Sequence, residues 1–132
     1  MDEENVIKTP GGNKVWCKDG IIHYLISAPV DESEAVQLRD EGWKFVDAGE
    51  AHLVSIDIQQ STQFSSAARR IWVEFFKHPK IFRAAIFGGN VFVRTLASFV
   101  IAASSRRNMK FFATEKEALK WLHVSVDQNI ST

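Results

Sequence analysis

Leu53-Val54-Ser55-Ile56-Asp57-Ile58, then Ser65 to His78, then Arg83-Ala84-Ala85-Ile86-Phe87 is the stretch that decides the fold. The first run is short, β-branched and bounded by polar residues, the pattern of a buried strand. In the second, Ala68, Ile71, Trp72 and Phe75 recur at helical spacing, while Arg69, Arg70, Glu74 and Lys77 lie off that stripe. His78-Pro79 ends the helix, because the residue before a proline is pushed out of the α region. The third run is again a strand. A strand, a helix and a strand in about 35 residues make a crossover unit, which places the two strands parallel in one sheet.

Working outward, Lys14 to Cys17 and Ile21 to Ile26 read as strands joined by Lys18-Asp19-Gly20, where Asp-Gly supplies the positive φ angles of a tight hairpin. Pro29 breaks the strand, and Asp31 with Glu34 forms a capping box for a helix reaching about Val46. Beyond the central unit, Gly88-Gly89-Asn90 is a tight turn and Val91 to Ser105 a third helix. Met109 to Ala113 is a last strand, and Thr114 with Glu117 caps a last helix through about His123. The predicted order is β-β-α-β-α-β-α-β-α, an α/β fold with a mixed five-stranded sheet and four helices. Residues 1–12, ending in Pro10-Gly11-Gly12, read as a flexible N-terminal arm, 13–123 as a single domain and 124–132 as a C-terminal tail.

Composition bounds the function. The 132 residues carry 16 basic and 16 acidic side chains, 45% hydrophobic residues and one cysteine. That is ordinary globular composition, incompatible with intrinsic disorder or a disulfide scaffold. A single Cys17 cannot form an internal disulfide, so a reducing cytoplasm is the expected location. The acidic start Asp2-Glu3-Glu4 lacks the basic and apolar regions of a signal peptide. Val91 to Ala103, the longest apolar region, is interrupted by Arg94 and is shorter than a membrane span. Zero net charge argues against a nucleic-acid partner. It is nonetheless a cancellation: between Ser66 and Lys110 stand nine Lys or Arg and one acid, Glu74, against seven bases and fifteen acids elsewhere.

No metal, cofactor or catalytic constellation emerges. His23, His52, His78 and His123 are scattered without ligand spacing, and Cys17, on a predicted strand, is a nucleophile only if the fold brings a histidine to it and otherwise a small buried hydrophobe. Asp57, Ser66 and Arg94 would make an anion-processing site only if the fold gathered them at the sheet's C-terminal edge. Gly88-Gly89-Asn90, with Arg94 one turn on, is either a tight turn capped by Asn90 or an anion-binding one. In the third helix Phe92, Leu96, Phe99, Val100 and Ala103 form one apolar face, and Val93, Ala97 and Ile101 extend it, leaving Arg94, Thr95 and Ser98 as a polar strip. This surplus fits core packing, a homodimer contact, a partner surface or an apolar-ligand face made by Phe92, Val93, Leu96, Phe99 and Val100.

Taken in order, five segments resemble the bacterial STAS (sulphate transporter and anti-sigma-factor antagonist) and CRAL-TRIO-like group. They are Lys18-Asp19-Gly20-Ile21-Ile22, Leu53 to Ile58, Ser66-Ala67-Ala68-Arg69-Arg70, Ala84 to Asn90, and Phe111-Phe112-Ala113-Thr114 to Trp121-Leu122. The resemblance covers about residues 13 to 123 and implies a STAS-like domain acting as a regulatory or protein-interaction module without catalytic activity. Its CRAL-TRIO side implies the alternative of a small carrier of lipid or another apolar ligand. Anti-anti-sigma members carry an Asp-Ser pair at the start of the helix after the central strand, the serine being the phosphorylation site. Ser65 falls where that aspartate would stand and Ser66 where the serine would. Ala67-Ala68 and Arg69-Arg70 replace the small Gly-Leu that follows. The implied regulatory phosphosite is therefore Ser66 or Ser65, with Arg69 and Arg70 one turn away as anion-binding side chains; the other reading of Ser65 is a helix N-cap.

Overall fold

The computed structural model describes residues 5–60, 63–89, 91–104 and 108–131; within α3 and α4, the side chains of 91–93, 96, 99, 103, 104 and 124–131 fall outside the description. Asn90 lies outside the described residues, as do the side chains of Phe92, Val93, Leu96 and Phe99.

Six strands run in sequence order across one sheet: β1 Ile7–Lys8, β2 Lys14–Lys18, β3 Ile21–Leu25, β4 Leu53–Asp57, β5 Arg83–Phe87 and β6 Met109–Phe112. The first three are antiparallel and the last four parallel. The sheet is thus mixed, as the sequence predicts, but six-stranded rather than five-stranded. The additional strand β1 is two residues long, too short for any periodicity to reveal. It pairs Ile7 with Val15 and Lys8 with Lys14, and Pro10-Gly11-Gly12 forms its turn, closed by Thr9 N to Asn13 O at 2.8 Å. In the β2–β3 hairpin Asp19 (φ 57°) and Gly20 (φ 79°) take the two positive-φ positions expected of Asp-Gly.

The described residues also form four helices: α1 Glu32–Asp47, α2 Ser66–Phe76, α3 Val91–Ser104 and α4 Glu115–Ser131. Asp31 caps α1, its carboxylate accepting from Glu34 N at 2.9 Å, and Thr114 caps α4 through Glu117 N at 3.3 Å. α4 continues past His123 because no glycine or proline interrupts 115–131. Strand alternation divides the core. Ile22, Tyr24, Val54, Ile56, Ala84 and Ile86 face α1, α2 and α3, while Ile21, Leu53, Ala85 and Phe87 face Ala118 and Leu122 of α4.

Candidate functional site

The loops leaving the C-terminal ends of β3 and β4 meet the start of α2, and the local sequence fixes how. Val30 N donates to Gln63 O and Ser65 N to Val30 O, each at 3.0 Å, a short parallel bridge that seats Phe64 beside Val30. Asn13 holds the same loop from the other side, its side-chain oxygen accepting from Ser27 N at 2.9 Å and Ala28 N at 3.0 Å. Ser65 has extended backbone (φ −70°, ψ 165°), and its hydroxyl accepts from Ala68 N at 3.0 Å. It is the N-cap of α2. Ser66 is exposed, and its hydroxyl accepts from Arg69 Nη2 at 3.1 Å while Arg69 Nη1 donates to Phe64 O at 3.0 Å. Arg70 is exposed and makes no ion pair with the described residues. Of the four predicted side chains of this edge, Ser66 and Arg69 are in contact, Ser65 caps the helix, and Arg70 is exposed beside them in sequence.

A buried carboxylate that sequence reading assigned only to a cap underlies this edge. Glu34, 8% exposed, accepts from the Thr9 hydroxyl, from Gly11 N at 2.7 Å and from Asn13 Nδ2 at 3.0 Å. A Cβ on Gly11 would lie 2.5 Å from the Glu34 carboxyl carbon, so glycine is needed for the close approach. The sequence signal was present in two parts, the acid of the capping box and the Gly-Gly turn, but nothing in either says that they meet.

The other candidates separate. Asp57 lies on the α4 side of the sheet with Leu25, Phe87 and Phe112, opposite α2, and its carboxylate accepts from Gln59 N at 2.9 Å. Among the described residues, neither the cavity between α2 and α3 nor the groove beside Arg94 is lined by more than one of Asp57, Ser66 and Arg94. Gly88 and Gly89 have φ of 85° and 88°, and a Cβ on either would press into Gln59 or Ile58. Packing of the β4 loop against this turn accounts for both glycines. Cys17 Sγ sits 3.7 Å from Glu50 O, and burial, then Glu50, pushes its thiol above the ordinary value. That direction disfavours a nucleophilic thiolate. Among the described residues no three His, Cys, Asp or Glu are grouped as metal ligands.

Between α2 and α3, Ile56, Phe64, Arg69, Trp72, Phe76 and Val100 line a cavity of about 40 Å³. Val100 is buried there rather than on the surface. Trp72 Nε1 is buried without a hydrogen-bond partner among the described residues, with its ring edge-on to Tyr24 at 5.0 Å. Arg94 stands apart, its guanidinium 4.8 Å over the Phe111 ring.

Residues 15–125 match the family described as Domain of unknown function (DUF7793). The chain belongs to that family. No curated protein matches the DUF7793 chain in sequence. Its fold is similar to several solved structures. One is the Bacillus cell fate determinant SpoIIAA in its phosphorylated form, at 12% identity and TM-score 0.63, covering 83% of this chain and 97% of that one. Another is RsbS from Moorella thermoacetica, at 15% identity and TM-score 0.65, covering 86% and 96%. A third is an anti-sigma factor antagonist from Mycobacterium paratuberculosis, at 16% identity and TM-score 0.66, covering 89% and 99%. The DUF7793 chain accordingly has the SpoIIAA-like, STAS fold that its motif order implies.

Proposed function

We propose that this protein is a bacterial, cytoplasmic regulatory module that works by binding a protein partner and catalyses no reaction. Its contact surface is the edge where α2 begins, Ser66 is its modifiable residue, and it acts as a homodimer. The observation supporting the reading is the division of labour at that edge. Ser65 is committed to capping, whereas Ser66 is exposed and held by a guanidinium. A phosphate on Ser66 would add about two negative charges beside Arg69 and Arg70 at a helix N-terminus, where unpaired N–H groups favour anions. Asp57 on the opposite face supplies Ser66 with no base, which favours a binding role over a reaction.

The carrier alternative receives little support from the cavity beside Val100, since about 40 Å³ suits one or a few waters. Pockets for ligand-sized molecules run to about 300–1,000 Å³.

The test is affinity purification from the native host with wild type, Ser66→Ala, Ser66→Asp and Arg70→Glu, alongside light scattering and native mass spectrometry. One protein retained by wild type and Ser66→Ala but lost by Ser66→Asp, at unchanged melting temperature, is the expected result. A retained set indifferent to all three substitutions overturns the α2 surface. A monomeric mass overturns the homodimer, and a co-purified lipid favours the carrier.

A further inference from the structure

The β6 edge carries a second candidate surface. β6 pairs with β5 and, among the described residues, with no other strand. Ala84 N donates to Asn108 O at 3.0 Å and Gly88 N to Phe112 O at 3.2 Å, so the even-numbered residues of β6 turn their backbone groups toward β5. Backbone groups alternate sides along a strand, and the amides and carbonyls of Met109 and Phe111 therefore face the open edge. Beside them, Arg94, Thr95 and Ser98 of α3 and the ring of Phe111 outline an open groove of about 470 Å³. The polar strip of the third helix thus overlooks the free edge. Arg94 is exposed, stacked on Phe111 and without an ion pair among the described residues. The stretch Ser66 to Lys110 that builds this side holds a single acid.

We propose that β6 is a docking edge for an extended acidic segment of a protein partner, added as a further strand with a carboxylate side chain in the groove against Arg94. Backbone hydrogen bonds to Met109 and Phe111 would supply affinity, and the groove would select the side chain. A guanidinium held on a ring meets a carboxylate with less entropy lost, and the pairing is charge-assisted. A second copy of β6 fits poorly, because Met109-Lys110-Phe111-Phe112 has no carboxylate to offer. This surface is outlined by α3 and β6 rather than by Ser66 and Arg70, and its test reads different residues.

The probe is a synthetic peptide of alternating glutamate and valine, with a lysine-valine counterpart, titrated into ¹⁵N-labelled protein. The acidic peptide should shift the Met109 and Phe111 amides and slow their hydrogen exchange, while the lysine peptide should not. Arg94→Glu should weaken the acidic peptide by about tenfold or more and favour the basic one. Phe111→Pro deletes an outward N–H without breaking the ladder to β5, as edge prolines do, and should also weaken binding. Circular dichroism confirms that both variants are folded. Unmoved Met109 and Phe111 amides, equal response to both peptides, or undiminished binding by Phe111→Pro would overturn the proposal. So would shifts that follow protein concentration alone, which indicate a second copy.

Discussion

Tyr24 illustrates how much a single position decides. It is 1% exposed, its hydroxyl donates to Leu38 O at 2.8 Å, and Trp72 and Phe75 meet its ring edge-on. Room for that hydroxyl comes from Gly42, in the middle of α1, where any Cβ would collide with the Tyr24 oxygen and lie 2.9 Å from Phe75 Cε1. A helix-interior glycine costs about 1 kcal/mol relative to alanine; close approach, not backbone freedom, keeps it here. Burial, and secondarily Glu41, pushes the Tyr24 phenol well above its ordinary 10.0. The native state therefore favours the protonated phenol. The resulting stabilisation is complete below pH 10, where both states hold the proton. It is lost as pH rises from there toward the folded pKa, because the unfolded phenol ionises first. Tyr24→Phe should cost about 1 kcal/mol at pH 7 and should flatten the fall in stability above pH 10. Urea midpoints at pH 7 to 11 check this; an equally steep fall in both proteins would place the titrating group elsewhere. The sequence places Tyr24 in the strand read from Ile21 to Ile26. Its pairing with Gly42 is invisible there, because periodicity carries no information about which helix residue a hydroxyl will reach.

Among elements, signals contained within a few residues were legible and those spanning the fold were not. Asp31 and Thr114 cap the helices assigned to them, and Asp19-Gly20 makes its hairpin turn, because each depends on residues close in sequence; only the second half of the first capping box departs, the Glu34 carboxylate turning to Thr9, Gly11 and Asn13. β1 was illegible for the opposite reason. Its two residues owe their place to contacts made elsewhere, chiefly the three donors from Thr9, Gly11 and Asn13 that converge on Glu34. The same carboxylate thus joins the β1 turn to α1, and through Asn13 to the loop that meets Ser65. At the candidate site, the Ser65-Ser66 pair and both arginines were legible, but the assignment of cap and exposed hydroxyl needed backbone angles. Glu34→Ala removes the acceptor shared by three donors, of which the Thr9 hydroxyl keeps Asn13 O at 3.3 Å, and should destabilise by about 2–4 kcal/mol. Amide exchange should quicken first at residues 7–13 and then at Ser27 and Ala28. A loss below about 0.5 kcal/mol, the size typical of a surface substitution, would mean that the turn holds its shape without the carboxylate.

At the scale of the molecule, the sheet order turns position in the sequence into position in space. Strands follow one another from β1 to β6, so the described basic residues between Ser66 and Lys110 lie toward one edge of the sheet and residues 5–60, with nine acids and five bases, toward the other. α1 and α2 pack together where the two regions meet, joined by Arg39 and Glu74 at 2.8 Å. The zero net charge is therefore a sum over two unlike sides rather than a uniform surface. The helices divide unequally as well: α1, α2 and α3 share one face, and among the described elements α4 alone covers the other. That face depends on few side chains, with Ala118 and Leu122 fully buried against Ile21, Leu53, Ala85 and Phe87. Leu122→Ala should cost about 2–5 kcal/mol, the range for a large-to-small change in a core that cannot collapse around the gap. Because no second helix shares the load there, loosening of α4 should also raise binding of a hydrophobic dye before global unfolding. Trimming the better-supported face, as in Val100→Ala, should leave dye binding at the wild-type level. Denaturant titration with dye fluorescence measures both, and equal dye binding by the two variants would show that the faces are equally supported.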